Sequence, residues 1–125
     1  MKKDLIVWCS GPWTGRCSDQ GIYNQKLKQL LGSDEKLVSD SGYKGDHFFR
    51  PINPKKRKLN EEEKLYNWDV HSTSAKLENV NNLFKKFACM RNYWRHGIQK
   101  HKIAFYIILN IVQIKMQYQP IRKKN

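Results

Sequence analysis

Two carboxylates carry the chemistry that this sequence offers. Asp40 ends the β-prone run Lys36-Leu37-Val38-Ser39 and is followed at once by Ser41-Gly42-Tyr43-Lys44-Gly45. A carboxylate at the tip of a buried strand is costly to desolvate unless it binds something. Gly42 and Gly45 let the backbone turn sharply beside it. The same residues also write an ordinary Asp-Ser-Gly turn, so Asp40 by itself leaves both readings open. Glu78 falls in a helical stretch beside the apolar Leu77, Val80, Leu83 and Phe84, with Ser74, Ala75, Asn81 and Asn82 as its helical neighbours. Alone, it reads as a surface glutamate on an amphipathic helix. Together the two are more informative. Carboxylates that meet without a cation repel one another and favour a hard divalent metal. Mg²⁺ binds through one or two carboxylates plus phosphate oxygens, and a pair of such ions activates a water and stabilises the leaving oxygen of an in-line displacement.

The elements that must position this pair follow from periodicity. Leu5-Ile6-Val7-Trp8-Cys9 is a continuous β-prone run, expected to be a buried strand, and Ser10-Gly11-Pro12 breaks it. Ser18 or Asp19 stands where a helix cap belongs, Ile22, Leu27, Leu30 and Leu31 form a stripe, and Gly32 closes that helix. Lys36 to Ser39 is then a second strand, giving a βαβ unit with parallel strands. Phe48 to Asn60 is extended. Asn60-Glu61-Glu62-Glu63 starts a second helical pattern that runs through Phe87, with an interruption expected around His71-Ser72-Thr73-Ser74. Arg91 to Gly97 reads as a loop. A final helix spans Ile98 to Met116, with Ile103, Ile107, Ile111 and Ile114 as one stripe, widened by Tyr106, Leu109 and Val112, and a helix this apolar must pack into a core or a partner. The fold class is α/β: a short parallel sheet with a helical C-terminal half.

The 125 residues suffice for one small domain. No run approaches the roughly 18 apolar residues of a membrane span, and the apolar stretch after Met1-Lys2-Lys3-Asp4 is too short for a signal-peptide core. Cys9, Cys17 and Cys89 have no paired spacing, which argues against a disulfide framework or a structural zinc site. His47, His71, His96 and His101 lack ligand spacing as well.

Charge is placed unevenly. The net charge is +13, yet residues 1–49 carry seven basic and six acidic side chains. Arg50, Lys55, Lys56, Arg57 and Lys58 form a basic block, and Lys55 to Lys58 read equally as a phosphate-contacting loop or as a nuclear-import signal, the latter implying the nucleus. After Glu78 there is no acid, while Lys85, Lys86, Arg91, Arg95 and Lys100 open a wholly basic stretch. A one-signed half of this kind suits a polyanion such as DNA. Arg91, Arg95 and Lys100 surround an aromatic loop and are the strongest candidates for phosphate contact. Trp13, Tyr43, Trp68, Tyr93 and Trp94 are each available either for base stacking or for packing.

The order Ser10-Gly11-Pro12-Trp13-Thr14-Gly15-Arg16-Cys17-Ser18-Asp19, Ser39-Asp40-Ser41-Gly42-Tyr43-Lys44-Gly45, Ala75-Lys76-Leu77-Glu78-Asn79-Val80-Asn81, Phe84-Lys85-Lys86-Phe87, Arg95-His96-Gly97 and Lys100-His101 resembles the DDE superfamily of transposase-type endonucleases. Within it the likeness is to the Harbinger-type group and its domesticated nuclease relatives. The resemblance implies an RNase H-like fold, here incomplete, over residues 1–117, followed by a basic tail at 118–125. It implies DNA cleavage with divalent metal ions, Mg²⁺ or Mn²⁺. Asp40 matches the family's second catalytic aspartate and Glu78 its closing glutamate, and both are then metal ligands. The nucleic-acid contacts fall to Lys55, Lys56, Arg57, Lys58, Lys85, Lys86, Arg91, Arg95 and Lys100.

The chain also departs from the family. The first catalytic aspartate belongs to a strand upstream of the one matched by Leu5 to Cys9, and nothing around Asp4 resembles its motif. Two leading strands are missing with it, and Leu77 stands where relatives often carry histidine. The expectation is a fragment with impaired or no cleavage, acting as a homo-oligomer or with a partner that supplies the missing strands. Two alternatives remain: a non-catalytic basic nucleic-acid-binding protein, and a decayed transposon remnant with an exposed sheet edge and a thin core.

Overall fold

The structure is a computed structural model that describes residues 4–39, 42–55, 57–119 and 121. Asp40, Lys56 and the basic tail residues from Arg122 onward lie outside the described residues. In chain order the elements are α1 (Asp19–Gln25), a 3₁₀ turn at Leu27–Gln29, β1 (Leu37–Val38), β2 (Phe48–Phe49), α2 (Glu61–Lys85), α3 (Ala88–Arg91) and α4 (Ile98–Tyr118). The architecture is therefore mixed α/β, with a two-stranded parallel sheet. The chain forms two compact units: Thr14–Ala75, and the N-terminal segment through Trp13 together with everything from Lys76 on.

In the Thr14–Ala75 unit, Ser18 caps α1 by accepting a hydrogen bond from the Gly21 N–H at 3.1 Å. The helix is shorter than the stripe implied. It ends at Gln25, and Leu30 stays 65% exposed, while Tyr23 is the side chain that becomes buried. The ring of Tyr23 meets that of Phe48, the inward residue of β2, in a tilted contact at 4.7 Å, and Tyr43 lies 5.1 Å from the same ring. These three aromatics hold the sheet in place. The parallel pairing is Leu37 with Phe48 and Val38 with Phe49, closed by Leu37 N–H to His47 O at 2.8 Å and Ser39 N–H to Phe49 O at 3.0 Å.

The start of α2 is a capping box. The Glu63 N–H donates to Asn60 Oδ1 at 2.8 Å, and the Asn60 N–H donates to the Glu63 carboxylate at 3.0 Å. The helix then runs unbroken through His71-Ser72-Thr73-Ser74, where an interruption was expected. Weak helix formers cost only a few tenths of a kcal/mol each, and a long helix propagates through them.

In the other unit the core is a cluster of Ile108, Val112 and Met116 on α4, packed against Ile6, Val80, Leu83, Phe84, Phe87, Cys89, Met90 and Ile121. Phe84 also stacks on Phe105 at 5.5 Å. Two expectations are corrected here. The first concerns Leu5 to Cys9, which is not a strand. Ile6 faces the cluster while Leu5 and Val7 are exposed, and the Ile6 N–H donates to the Gln113 side chain at 2.8 Å. The segment keeps the alternation of an extended chain, but its amide is taken by a helix side chain. The parallel partner of Leu37–Val38 is accordingly Phe48–Phe49. The second concerns α4, which is turned relative to the expected stripe. Ile103, Ile107, Ile111 and Ile114 are 61%, 56%, 44% and 55% exposed, and the buried line is Ile108, Val112 and Met116. Neighbouring residues sit about 100° apart around a helix, so a helix apolar on several faces does not specify which of them is covered.

Candidate functional site

The sheet delivers its last ladder bond at Ser39, one residue before Asp40 in the chain. Ligands in open α/β sheets gather beyond the carboxyl ends of parallel strands, and this is where β1 ends. The stretch that follows is tied down from three sides. Gly45 adopts φ +127°, a backbone conformation that L side chains rarely tolerate. The Lys44 N–H donates to Gln20 Oε1 on α1 at 2.7 Å, and Arg50 donates to the Tyr43 carbonyl at 2.9 Å. Arg50 and Gln20 thus support the loop beside Asp40. Gln20 was not legible as a site residue, because it reaches the loop across 24 positions of sequence, and Arg50 read only as a member of the basic block.

Glu78 lies on α2 with its side chain exposed. Several other acids are already compensated. Asp4 pairs with Lys76 at 2.8 Å, Glu61 with Lys64 at 2.6 Å and Glu63 with Arg57 at 2.6 Å. Glu78 has no ion pair or hydrogen bond among the described residues, so its oxygens are available to an external cation. That is the donor chemistry a hard divalent ion requires of one ligand. No group of three or more His, Cys, Asp or Glu side chains gathers into an ion site among the described residues. Glu78 therefore fits as a single ligand, and the described residues do not by themselves make a metal centre.

The basic candidates differ in availability. Lys55, Lys58, Lys85, Lys86, Arg91, Arg95 and Lys100 are all exposed. Arg57 is exposed too, but its guanidinium forks onto both oxygens of Glu63, at 2.7 and 2.6 Å. Those two bonds, with the Asn60 amide behind them, hold the Glu63 carboxyl at about 2, well below its ordinary 4.5. The same pairing raises Arg57 above its usual value. Lys85 and Lys86 stand at the end of α2, where cations are favoured by the helix dipole. Arg91 closes α3, and the loop from Asn92 to Gly97 leads to Lys100 in the first turn of α4.

Residues 2–113 match the family model of the DDE superfamily endonucleases. The chain belongs to that family. The match contains both the turn that carries Asp40 and the helix that carries Glu78. Among curated proteins, a probable transposase for insertion sequence element IS702 from Microchaete diplosiphon is 26% identical over 124 aligned positions. That alignment covers 92% of this chain and 44% of the relative, so the chain spans less than half the length of the curated transposase it matches. No solved structure matches the chain. No helix among the described residues is long and apolar enough to cross a membrane.

Proposed function

We propose that this DDE-family chain acts on DNA as part of an RNase H-like endonuclease of the Harbinger type, with Asp40 and Glu78 as ligands for Mg²⁺ or Mn²⁺. The observation that carries the reading is Glu78. It is an exposed carboxylate without a counter-cation among the described residues, on a family-matched helix, at the point in the sequence where acids stop and only bases follow. When bound, the metal supplies water activation and leaving-group stabilisation in phosphodiester hydrolysis. This chain's own contribution is to hold the DNA. Lys85 and Lys86 at the end of α2 and Arg91, Arg95 and Lys100 beyond it meet phosphates with exposed charge that has no ion pair among the described residues. In the same reading the basic block from Lys55 to Lys58 serves nuclear import, and a partner chain supplies further strands.

Asp40 and Glu78 are two of the three carboxylates that such a site uses, so cleavage by this chain alone is expected to be weak or absent. The test has two arms. Tb³⁺ luminescence, competed with Mn²⁺, should report a site that is lost in Asp40→Asn and in Glu78→Gln. Metal binding unchanged by both substitutions refutes the ligand assignment. In the second arm, plasmid DNA is incubated with Mg²⁺ or Mn²⁺. Robust cleavage that disappears in Asp40→Asn shows that the chain is catalytically sufficient and overturns the expectation of weak activity.

A second reading is favoured by the exposed basic set itself: DNA binding without cleavage. It predicts affinity that falls steeply with salt and is indifferent to Asp40→Asn and to Mg²⁺.

A further inference from the structure

Tyr93 makes no side-chain hydrogen bond or ring contact among the described residues. It is 89% exposed, although burying an aromatic ring is among the most favourable contributions a side chain makes. Its surroundings nevertheless fix it. On its N-terminal side, Phe87, Cys89 and Met90 pack into the Ile108, Val112 and Met116 cluster, and the Asn92 N–H donates to Ala88 O at 2.8 Å. On its C-terminal side, Trp94 Nε1 donates to Gly97 O at 3.2 Å, and the indole meets the rings of His96 and His101 edge-on at 5.3 and 5.1 Å. From Arg91 to Lys100, Trp94 is the one residue that is not exposed. One aromatic is thus the anchor of the loop and the other is presented to solvent.

The charge around the presented ring has one sign. Arg91 and Arg95 stand two residues to either side of Tyr93, Lys100 and Lys102 follow, and no acid occurs after Glu78. A solvent-facing aromatic among cations is the combination that binds unpaired nucleotides, in which the ring stacks on a base and the cations hold the flanking phosphates. A paired duplex offers this ring nothing to stack on, because its bases are already stacked on one another.

We propose that the Asn92–Gly97 loop is a site for an unpaired DNA base, with Tyr93 as the stacking platform and Arg91, Arg95 and Lys100 on the phosphates beside it. The proposal rests on the reading of DNA as the ligand and adds that the DNA is locally unpaired where it meets this loop. Stacking lowers the free energy of a complex enough that removing the ring weakens binding between about fivefold and about a hundredfold.

The experiment compares DNAs of one sequence by fluorescence anisotropy: a full duplex, the same duplex with a three-nucleotide gap, and the single strand. 2-Aminopurine is placed in the gap. Tyr93→Ala should weaken binding to the gapped and single-stranded DNA by at least fivefold, leave the full duplex within twofold, and abolish the quenching of 2-aminopurine that the parent chain produces. Tyr93→Phe, which keeps the ring, should restore both. Because Tyr93 is exposed, both variants should melt with the parent chain by circular dichroism. Equal losses on all three DNAs, or no loss on any, overturn the stacking site while leaving the DNA reading intact. Absence of salt-dependent binding by the parent chain to any of the three overturns both.

Discussion

Of the nine basic residues that the sequence assigns to DNA, Arg57 should contribute least, and the structure says by how much. Its guanidinium forks onto Glu63 at 2.7 and 2.6 Å, and Glu63 stays ionised to about pH 2. At neutral pH, then, a phosphate has to displace a carboxylate that is already in bidentate contact. Arg95 has no such competitor among the described residues. Each cation that releases a counterion from DNA adds about 0.9 to the slope of log affinity against log salt. Between 50 and 200 mM salt that slope increment is a factor of roughly 3.5 in affinity. Arg95→Gln should therefore reduce the slope by about one and flatten the salt loss by that factor. Arg57→Gln should leave the slope unchanged within error. The converse substitution sharpens the test. Glu63→Gln keeps a side chain that serves the capping box but removes the charge that occupies Arg57, so the slope should steepen by about 0.9. The assay is fluorescence anisotropy titration of a labelled duplex at four or five salt concentrations. If Arg57→Gln and Arg95→Gln lower the slope equally, the Arg57–Glu63 pair does not survive against DNA, and pairing with Glu63 does not withhold Arg57 from phosphate.

Other consequences follow from the same geometry. Val112 is 1% exposed, and Val112→Ala should destabilise its unit by about 2 kcal/mol in urea unfolding, whereas Ile107→Ser, at a position 56% exposed, should stay within about 0.5 kcal/mol. Equal costs would mean that the buried face of α4 is misassigned. Removing the cap with Asn60→Ala should destabilise α2 by about 1 kcal/mol, read as a loss of helical signal at moderate urea. Glu63 also makes the start of α2 acid-sensitive. Its folded pKa lies below its ordinary 4.5, so its stabilising contribution is full above pH 4.5 and is lost as pH falls from there toward about 2. A pH titration followed by circular dichroism should show that step, and Glu63→Gln should lack it.

What was legible in the sequence is what depends on local chemistry. Ser18 as a cap, the box of Asn60 and Glu63, the loop ahead of Gly97 and the closing helix follow from hydrogen-bonding side chains and apolar spacing within a few residues of one another. The family assignment was legible for the same reason, since its motifs are short ordered strings. So was the uneven charge, which is a property of composition. The partner of Leu37–Val38 was not legible, because a β-prone run carries no record of which strand it pairs with. Leu5 to Cys9 has the composition of a strand, yet the Ile6 amide goes to Gln113, 107 positions away.

Tertiary structure alone decided three matters that bear on function. It chose Ile108, Val112 and Met116 as the covered face of α4, where the sequence offered apolar residues on several faces. It joined Arg57 to Glu63, so that one exposed cation in a basic block is already paired within the chain while Lys55 and Lys58 face solvent. It also separated two adjacent aromatics, folding Trp94 onto His96, His101 and Gly97 and leaving Tyr93 outside. Sequence spacing ranks such residues as equivalent. Packing distinguishes them, because only one side of a turn or a helix meets the core and each contact formed there removes a side chain from what the surface can bind.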